Sequence, residues 1–503
     1  MKRSFVHFVS AKIRIYFEHH NTTTLAESLS DGYLKSAFAV LIFVLTGSSL
    51  QAQYDKVAAL RSDSMLTPIG GPASSPLIST EPYDFRDLRP TGKLNDQLPS
   101  WLQFGLDERL RFEGFSGDKF NPKRTDSYIL NRLRVGMILQ PSSWFKVVAQ
   151  LQDARSFLEN PPLGPPNNVR WDLKLAYAQL GDPEKQPISL TVGRQLIDYN
   201  STIIANSEWR NQARSYDAVA TKLHVGPFRA ALFAASVVDP QFDGISHHQA
   251  GNCIYGAYGW ITRILPKSSI EPFVLWRVAP SVAVEDIKAS DGRLDEKAYG
   301  FRIRGTNLAN FDYRYQLVVE RGSAGPNDIQ AWATTTGLGY TVRRLGWKPR
   351  FFSAYDYASG DRNPNDGRHG TFDTMYPTAH DRFGIIDQFG WQNIVAWRGG
   401  ITIAPHRRWS ITAQYLDLWL ASGTDAAYNS SGEMILRDPT GRSGKHLGNE
   451  VDIYTWYEIN REIHIGGGVG HLFPGEFIDK AGKGGAYTYP YFVIEMLDGK
   501  RAR

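Results

Sequence analysis

A chain of 503 residues can hold two or three soluble domains or one large barrel of many short strands. Its 13% aromatic content, with 24 Tyr, 26 Phe and 46 Gly at a mean hydropathy of -0.34, favours a barrel with one wet and one oily face. The 56 Lys+Arg against 51 Asp+Glu leave a formal charge of only +5, too diffuse to argue for nucleic acid, and the single cysteine, Cys253, excludes an intrachain disulfide framework or a Cys-based metal or redox centre.

At the N-terminus, Lys35 precedes the apolar run 37–45, and Gly47, Ser48 and Ser49 lead to Ala52 before Gln53. This predicts a Sec-type signal peptide over residues 1–52, with a long leader; the run is too short to span a bilayer as a helix. Residues 53–97 are rich in Pro, Ser, Gly and Asp without periodicity and are expected to form a poorly ordered periplasmic lead-in. From 98 to 497 the chain reads as segments of about ten residues of alternating character between turn residues, the pattern of an all-β, transmembrane antiparallel barrel. A polar tail, 498–503, follows.

In the first segment Phe104, Leu106, Leu110 and Phe112 share one face, while Gln103, Asp107, Arg109, Arg111 and Glu113 share the other; Glu108 is the exception. Leu133, Val135, Met137 and Leu139 then oppose Arg132 and Arg134. After the turn Pro141-Ser142-Ser143, Phe145, Val147, Ala149 and Leu151 alternate with Lys146, Val148, Gln150 and Gln152. Further strands are predicted at 188–195, 216–225, 228–238, 299–304, 313–320, 331–342, 350–357, 391–403, 410–419, 450–459, 463–472 and 487–496. With weaker segments around Trp171, Tyr258 and Phe273 the total is about 16 to 18 strands. Short turns at Gly226-Pro227, Pro405 to Arg408 and Asn460 to Glu462 contrast with long polar stretches near 155–170, 239–255, 279–297, 358–388 and 420–448. These are either flexible surface loops or extracellular lids that fold inward.

Several features have a plain structural reading. Trp144, Trp171, Tyr340 and Trp409, near strand ends, suit a membrane-interface girdle. The stretch from Asp361 to Gly367 alternates oxygen ligands like a calcium loop, but its glycine falls one place late and Phe372 stands where a closing Glu belongs, so it reads as a turn-rich loop. His247-His248 has no third ligand at metal spacing, and His380 beside Asp381 has no nucleophile. Gly466-Gly467-Gly468 with Gly470 lacks nucleotide-loop spacing; in a barrel strand glycines permit curvature or close packing.

Gly193-Arg194-Gln195, followed by Trp209, Asn211, Ala213-Arg214 and Asp217, resembles the alginate export family of outer-membrane porins. Three further stretches agree: Leu130-Asn131-Arg132-Leu133-Arg134; Phe372-Asp373-Thr374-Met375-Tyr376-Pro377-Thr378-Ala379-His380 running on to Trp391-Gln392-Asn393; and Gly448-Asn449-Glu450-Val451-Asp452. The resemblance spans Trp101 to the last strand and lies in the ordered set. It implies a monomeric 18-stranded barrel in the cell outer membrane of a Gram-negative bacterium, with a narrow, positive lumen that passes an anionic polysaccharide. Fold transfers within such a family better than ligand. The C-terminus departs from the habit of ending on an aromatic residue, since the polar tail follows Met496.

A uronate chain carries one carboxylate per sugar, so its passage needs fixed cations, each weak enough to let go. Arginine suits this because its planar fork binds carboxylate at any relevant pH. Arg109, Arg111, Arg132 and Arg134 on the first two strands, with Arg194, Arg302 and Arg304 later, are the candidate lumen cations. Asp107, Glu113, Glu450 and Asp452 are their candidate acidic partners; alternatively all are ordinary interior ion pairs. The expected role is passive passage of an anionic polysaccharide or smaller acidic solute, without enzymatic activity, cofactor, metal or nucleic acid. Expected partners are outer-membrane lipid and, as one option, a periplasmic polysaccharide-export complex. The alternatives are a general or anion-selective porin, a secreted all-β carbohydrate-active enzyme, and a surface adhesin or assembly barrel.

Overall fold

The two-residue period seen in the sequence becomes a ring of strands. The computed structural model describes residues 92–497, apart from Ser201, Arg263, 282–291, Ala379, Asp381, Arg461 and Lys483. The predicted signal peptide, most of the lead-in and the polar tail lie outside the described residues. The main sheet links twenty strands, two of which, His247–His248 and Arg368–His369, are two-residue side pairings. The other eighteen form the closed antiparallel barrel. In chain order they are β1 Leu102–Ser116, β2 Thr125–Ser142, β3 Phe145–Phe157, β4 Val169–Leu180, β5 Ile188–Gln195 and β6 Tyr216–Val225. Next come β7 Phe228–Asp239, β8 Cys253–Thr262, β9 Ser268–Ala279, β10 Leu294–Leu308, β11 Phe311–Ala324 and β12 Asn327–Thr341. The last six are β13 Arg350–Ala358, β14 Ile394–His406, β15 Trp409–Leu420, β16 His446–Glu458, β17 Ile463–Pro474 and β18 Tyr487–Leu497.

Each strand pairs with its chain neighbour, and β1 closes the ring on β18 with Arg111 opposite Val493 and Phe112 opposite Phe492. Closure leaves no sheet edge unpaired in hydrocarbon. The weak segments around Trp171, Tyr258 and Phe273 are full strands, and 18 is the count that the family resemblance implied.

Apolar side chains point out: Leu110, Val135, Leu151, Val192, Val219, Leu232, Val274 and Phe492 are exposed, while Arg109, Arg134, Gln152, Tyr216 and Glu271 on the alternate positions are buried. This is the inverse of a soluble sandwich and fits a lipid-facing wall. Trp144, Tyr340 and Trp409 stand exposed near one end of the barrel and Trp171 near the other. At the first of these ends the connections are tight, such as Gly226-Pro227 between β6 and β7. At the other they are long, notably 196–215, 359–393 and 421–445.

Candidate permeation site

Twenty residues, 196–215, leave β5 and return to β6, and they cross the inside of the barrel. On one wall Arg109 of β1 donates from Nη1 to the carbonyl of Glu208 at 2.8 Å and from Nη2 to those of Trp209 and Arg210 at 3.1 and 3.0 Å. On the other wall Arg302 of β10 donates to Asn200 Oδ1 at 3.0 Å and to the carbonyl of Tyr199 at 3.1 Å. Strands β1 and β10 are nine places apart in an eighteen-strand ring, so a segment touching both passes through the lumen.

The first wall holds this segment chiefly by arginine. Arg111 donates to the Trp209 carbonyl at 2.5 Å and pairs through Nε with Glu113 at 2.5 Å. Arg132 and Arg134 meet the Glu208 carboxylate at 3.3 and 2.9 Å, and Lys174 of β4 donates to the carbonyls of Ala213 and Arg214 at 2.5 and 3.0 Å. Burial would raise the Glu208 carboxyl, but Arg134, Arg132 and Lys174 outweigh it and hold the group well below the usual carboxylate range. Asn211 ties the same segment to three backbone carbonyls, of Asn131, Arg155 and Asn167, at 3.1, 3.2 and 3.0 Å. The Trp209 ring lies between the Arg111 guanidinium, 4.1 Å from its centre, and the His380 ring, stacked at 3.8 Å.

A second inward segment, within 359–393, is held by carboxylates that accept its backbone N–H groups. Asp373 N donates to Glu320 at 2.9 Å, Ile385 N to Asp452 at 3.2 Å and Ile386 N to Glu450 at 3.2 Å. Two glycines make room: a Cβ on Gly384 would overlap the Glu450 carboxylate, and one on Gly470 of β17 would lie 2.6 Å from Asp452 Oδ1 and 2.7 Å from Ile386. The two segments join each other, Ala205 N donating to the Tyr376 carbonyl at 2.7 Å and Tyr376 N to that of Ile203 at 3.0 Å.

The alginate export family matches residues 100–489. The chain belongs to the alginate export family. Among solved structures it is similar to three Pseudomonas aeruginosa proteins. OccK5 (OpdH) is 8% identical, with a TM-score of 0.52 over 79% of this chain and 98% of that one. OpdK, crystallised with vanillate, is 11% identical, with a TM-score of 0.52 over 78% and 98%. OpdO is 10% identical, with a TM-score of 0.52 over 80% and 98%. At such identities the likeness is one of fold, that of outer-membrane porins; no curated protein matches the chain. This family member is therefore an outer-membrane channel, with its short turns periplasmic and its long loops outside.

Within this alginate export barrel the candidate cations have different surroundings. Arg109, Arg111, Arg132, Arg134 and Arg302 face inward and are buried, their donors largely spent on the crossing segment or on carboxylates. Arg304 also faces inward, bonded to Glu271 at 2.7 Å, but keeps 45% of its side chain exposed. Arg194 stands on the opposite face from that expected. It pairs in register with Asp217, next to the lipid-facing Val192–Val219 pair, and holds Asp217 through Nε and Nη2 at 2.8 and 3.0 Å. Among the acidic candidates, Glu113 pairs with Arg111, Asp107 is buried on the inward face, and Glu450 and Asp452 take backbone amides of the second segment in place of arginines.

Sequence reasoning missed Glu208 and Lys174, and it missed a second cationic group on the far wall. Arg314 of β11 lies within electrostatic reach of Arg302, of Arg398 of β14 and of Arg382 from the second segment, and Arg382 within reach of Arg398 and Arg302. Arg382 bonds Asp356 at 2.7 Å and lies 4.2 Å from the Trp391 ring centre. The Asp361 loop spends its oxygens on turns, Asp361 Oδ1 accepting from Asn363 N at 2.9 Å and Asp366 Oδ1 from Arg368 N at 2.9 Å. His248 bonds Asp217 on the outer face.

Proposed function

We propose that this porin passes anionic saccharide chains, or smaller acidic solutes of the same charge, along the side of the crossing segments that faces β9 to β14. The observation that carries this reading is the far-wall arginine group. Arg302, Arg304, Arg314, Arg382 and Arg398 gather there; Glu271 bonds both Arg302 and Arg304, and Asp356 bonds Arg382. Asp198, on the crossing segment nearby, is pushed up to about 7 by burial, so it is only about half ionised at neutral pH. A cation excess in a low-dielectric channel concentrates anions, and several moderate sites in series allow them to leave again. On this reading the β1 and β2 arginines, spent on backbone carbonyls, set the pore's shape, and the far wall sets its selectivity.

Two segments crossing the lumen favour a narrow passage, which also suits a single small carboxylate such as the vanillate bound by OpdK. Transport is passive on either reading, with direction supplied by gradients or by a periplasmic machine. The test is single-channel current in a planar bilayer under a salt gradient, with an oligouronate added. Anion selectivity that falls in R304Q/R314Q, together with block by the oligouronate, supports the polysaccharide reading. Anion selectivity with no uronate block leaves the small-solute reading, and cation selectivity overturns both.

A further inference from the structure

The outer wall over β9 to β12 changes character at one level. On β11 the outward positions run Phe311, Tyr313, Tyr315, Leu317 and Val319 and then switch to Arg321. Ten residues of strand rise about 33 Å along the chain. At a barrel tilt of about 40° this is about 25 Å of height, that of an outer-membrane apolar band. Arg321 therefore stands where hydrocarbon gives way to headgroups, at the end of the barrel with the long loops, in the outer leaflet.

Directly opposite Arg321 in the register is Lys297 of β10, also outward. Like charges directly across a strand pair oppose each other, and among the described residues the outward acids nearest this pair are Asp295 and Asp328. Asp295, 2.5 Å from the Lys297 ammonium, also accepts the Trp276 indole N–H at 2.9 Å. Arg321 donates to the carbonyl of Glu320 at 2.6 Å, and Asp328, exposed on β12, pairs in register with Ser323 further toward the loop end. Lys297 lies 5.4 Å from the centre of the Trp276 ring, and that ring borders an apolar furrow of about 470 Å³ on the lipid side, between β6 and β9. The furrow's floor is Ala234 and Ala257; Leu232, Val274 and Tyr255 stand along it. Small residues flanked by large ones leave a slot of acyl-chain width, open to lipid.

We propose that this wall binds one phosphorylated, multiply acylated glycolipid of the outer leaflet, its phosphate between Lys297 and Arg321 and one acyl chain in the furrow. The charge complementarity and the continuity of cation pair with furrow select this occupant. A free phosphate uses only the first, and an uncharged lipid only the second. The site faces away from the lumen and is independent of what the channel carries.

The test is native mass spectrometry of the full-length protein in detergent, titrated with bisphosphorylated lipid A, its dephosphorylated form and phosphatidylglycerol. Bisphosphorylated lipid A should bind tightest. Each cation near the headgroup layer contributes about fivefold, so R321Q should lose about fivefold and K297Q/R321Q about thirtyfold, with single-channel conductance unchanged as evidence of an intact barrel. A257L, which fills the furrow, should weaken the same adduct. Unchanged binding in R321Q and K297Q/R321Q, or equal binding of the dephosphorylated lipid, would overturn the site. Phosphatidylglycerol binding as tightly would overturn its assignment to a glycolipid.

Discussion

Glu208 is the one carboxylate through which the crossing segment meets two wall arginines, and Glu208→Gln removes that charge while keeping the shape. Arg132 and Arg134 then lose a partner at 3.3 and 2.9 Å in a buried setting, a change that typically costs about 3–5 kcal/mol. At about 1.4 kcal/mol per factor of ten, the released arrangement of 196–215 should become roughly a hundred to a few thousand times more populated. The bonds from Arg109, Arg111, Lys174 and Asn211 remain, so the seated arrangement still dominates. Single-channel recordings should therefore keep the parent's main conductance level and gain brief openings above it. An opening frequency within tenfold of the parent's would refute the reasoning and assign the anchoring to the arginine–carbonyl bonds alone. The same latch predicts the parent's behaviour in acid. A carboxyl held below its unfolded value stabilises the seat above about pH 4 and loses that contribution only as pH falls toward its depressed folded value. The parent should thus stay free of such openings at pH 5.

Other outcomes follow from particular contacts. Asp198, raised to about 7, should ionise as pH rises from 6 to 8, so anion selectivity measured by reversal potential should fall over that range and become flat in D198N. Gly470→Ala places a methyl against Asp452 and Ile386; overpacking of this kind costs about 1–3 kcal/mol, which should lower the temperature at which the folded band is lost in heat-modifiability gels. Arg194→Gln, on the lipid-facing side, should leave ion selectivity unchanged, and a shift as large as that of R304Q/R314Q would contradict its placement.

The strands were legible because a barrel writes its two environments into alternate residues; Arg302 and Arg304, on the strand positions opposite to Phe301 and Ile303, follow that alternation. The same rule held the answer for Arg194: Ile188, Leu190 and Val192 share its parity, which points it toward lipid along with them. The crossing segment was harder to see. The arginines, the lysine and the carbonyls that hold it are 39 to 103 residues away in sequence, and no local period encodes such contacts. The available signal was compositional, since Ile197, Ile203, Ile204 and Trp209 are apolar residues in a twenty-residue connection that would be poorly placed in water. Glu450 and Asp452 accept backbone N–H groups of the second segment, a kind of partner that sequence does not show, because it pairs acids with bases and not with a neighbouring backbone's N–H groups.

The backbone bridge between Ile203, Ala205 and Tyr376 gives the aperture a mechanical property that neither inward segment has alone. A strut pinned at β1 and β10 is spliced there to one pinned at β11 and β16, so a push on any of these four staves is shared by the others. Trimming a single loop to widen the hole removes a brace from its neighbour as well, and the bore should change in one coordinated step and not in proportion to the residues deleted.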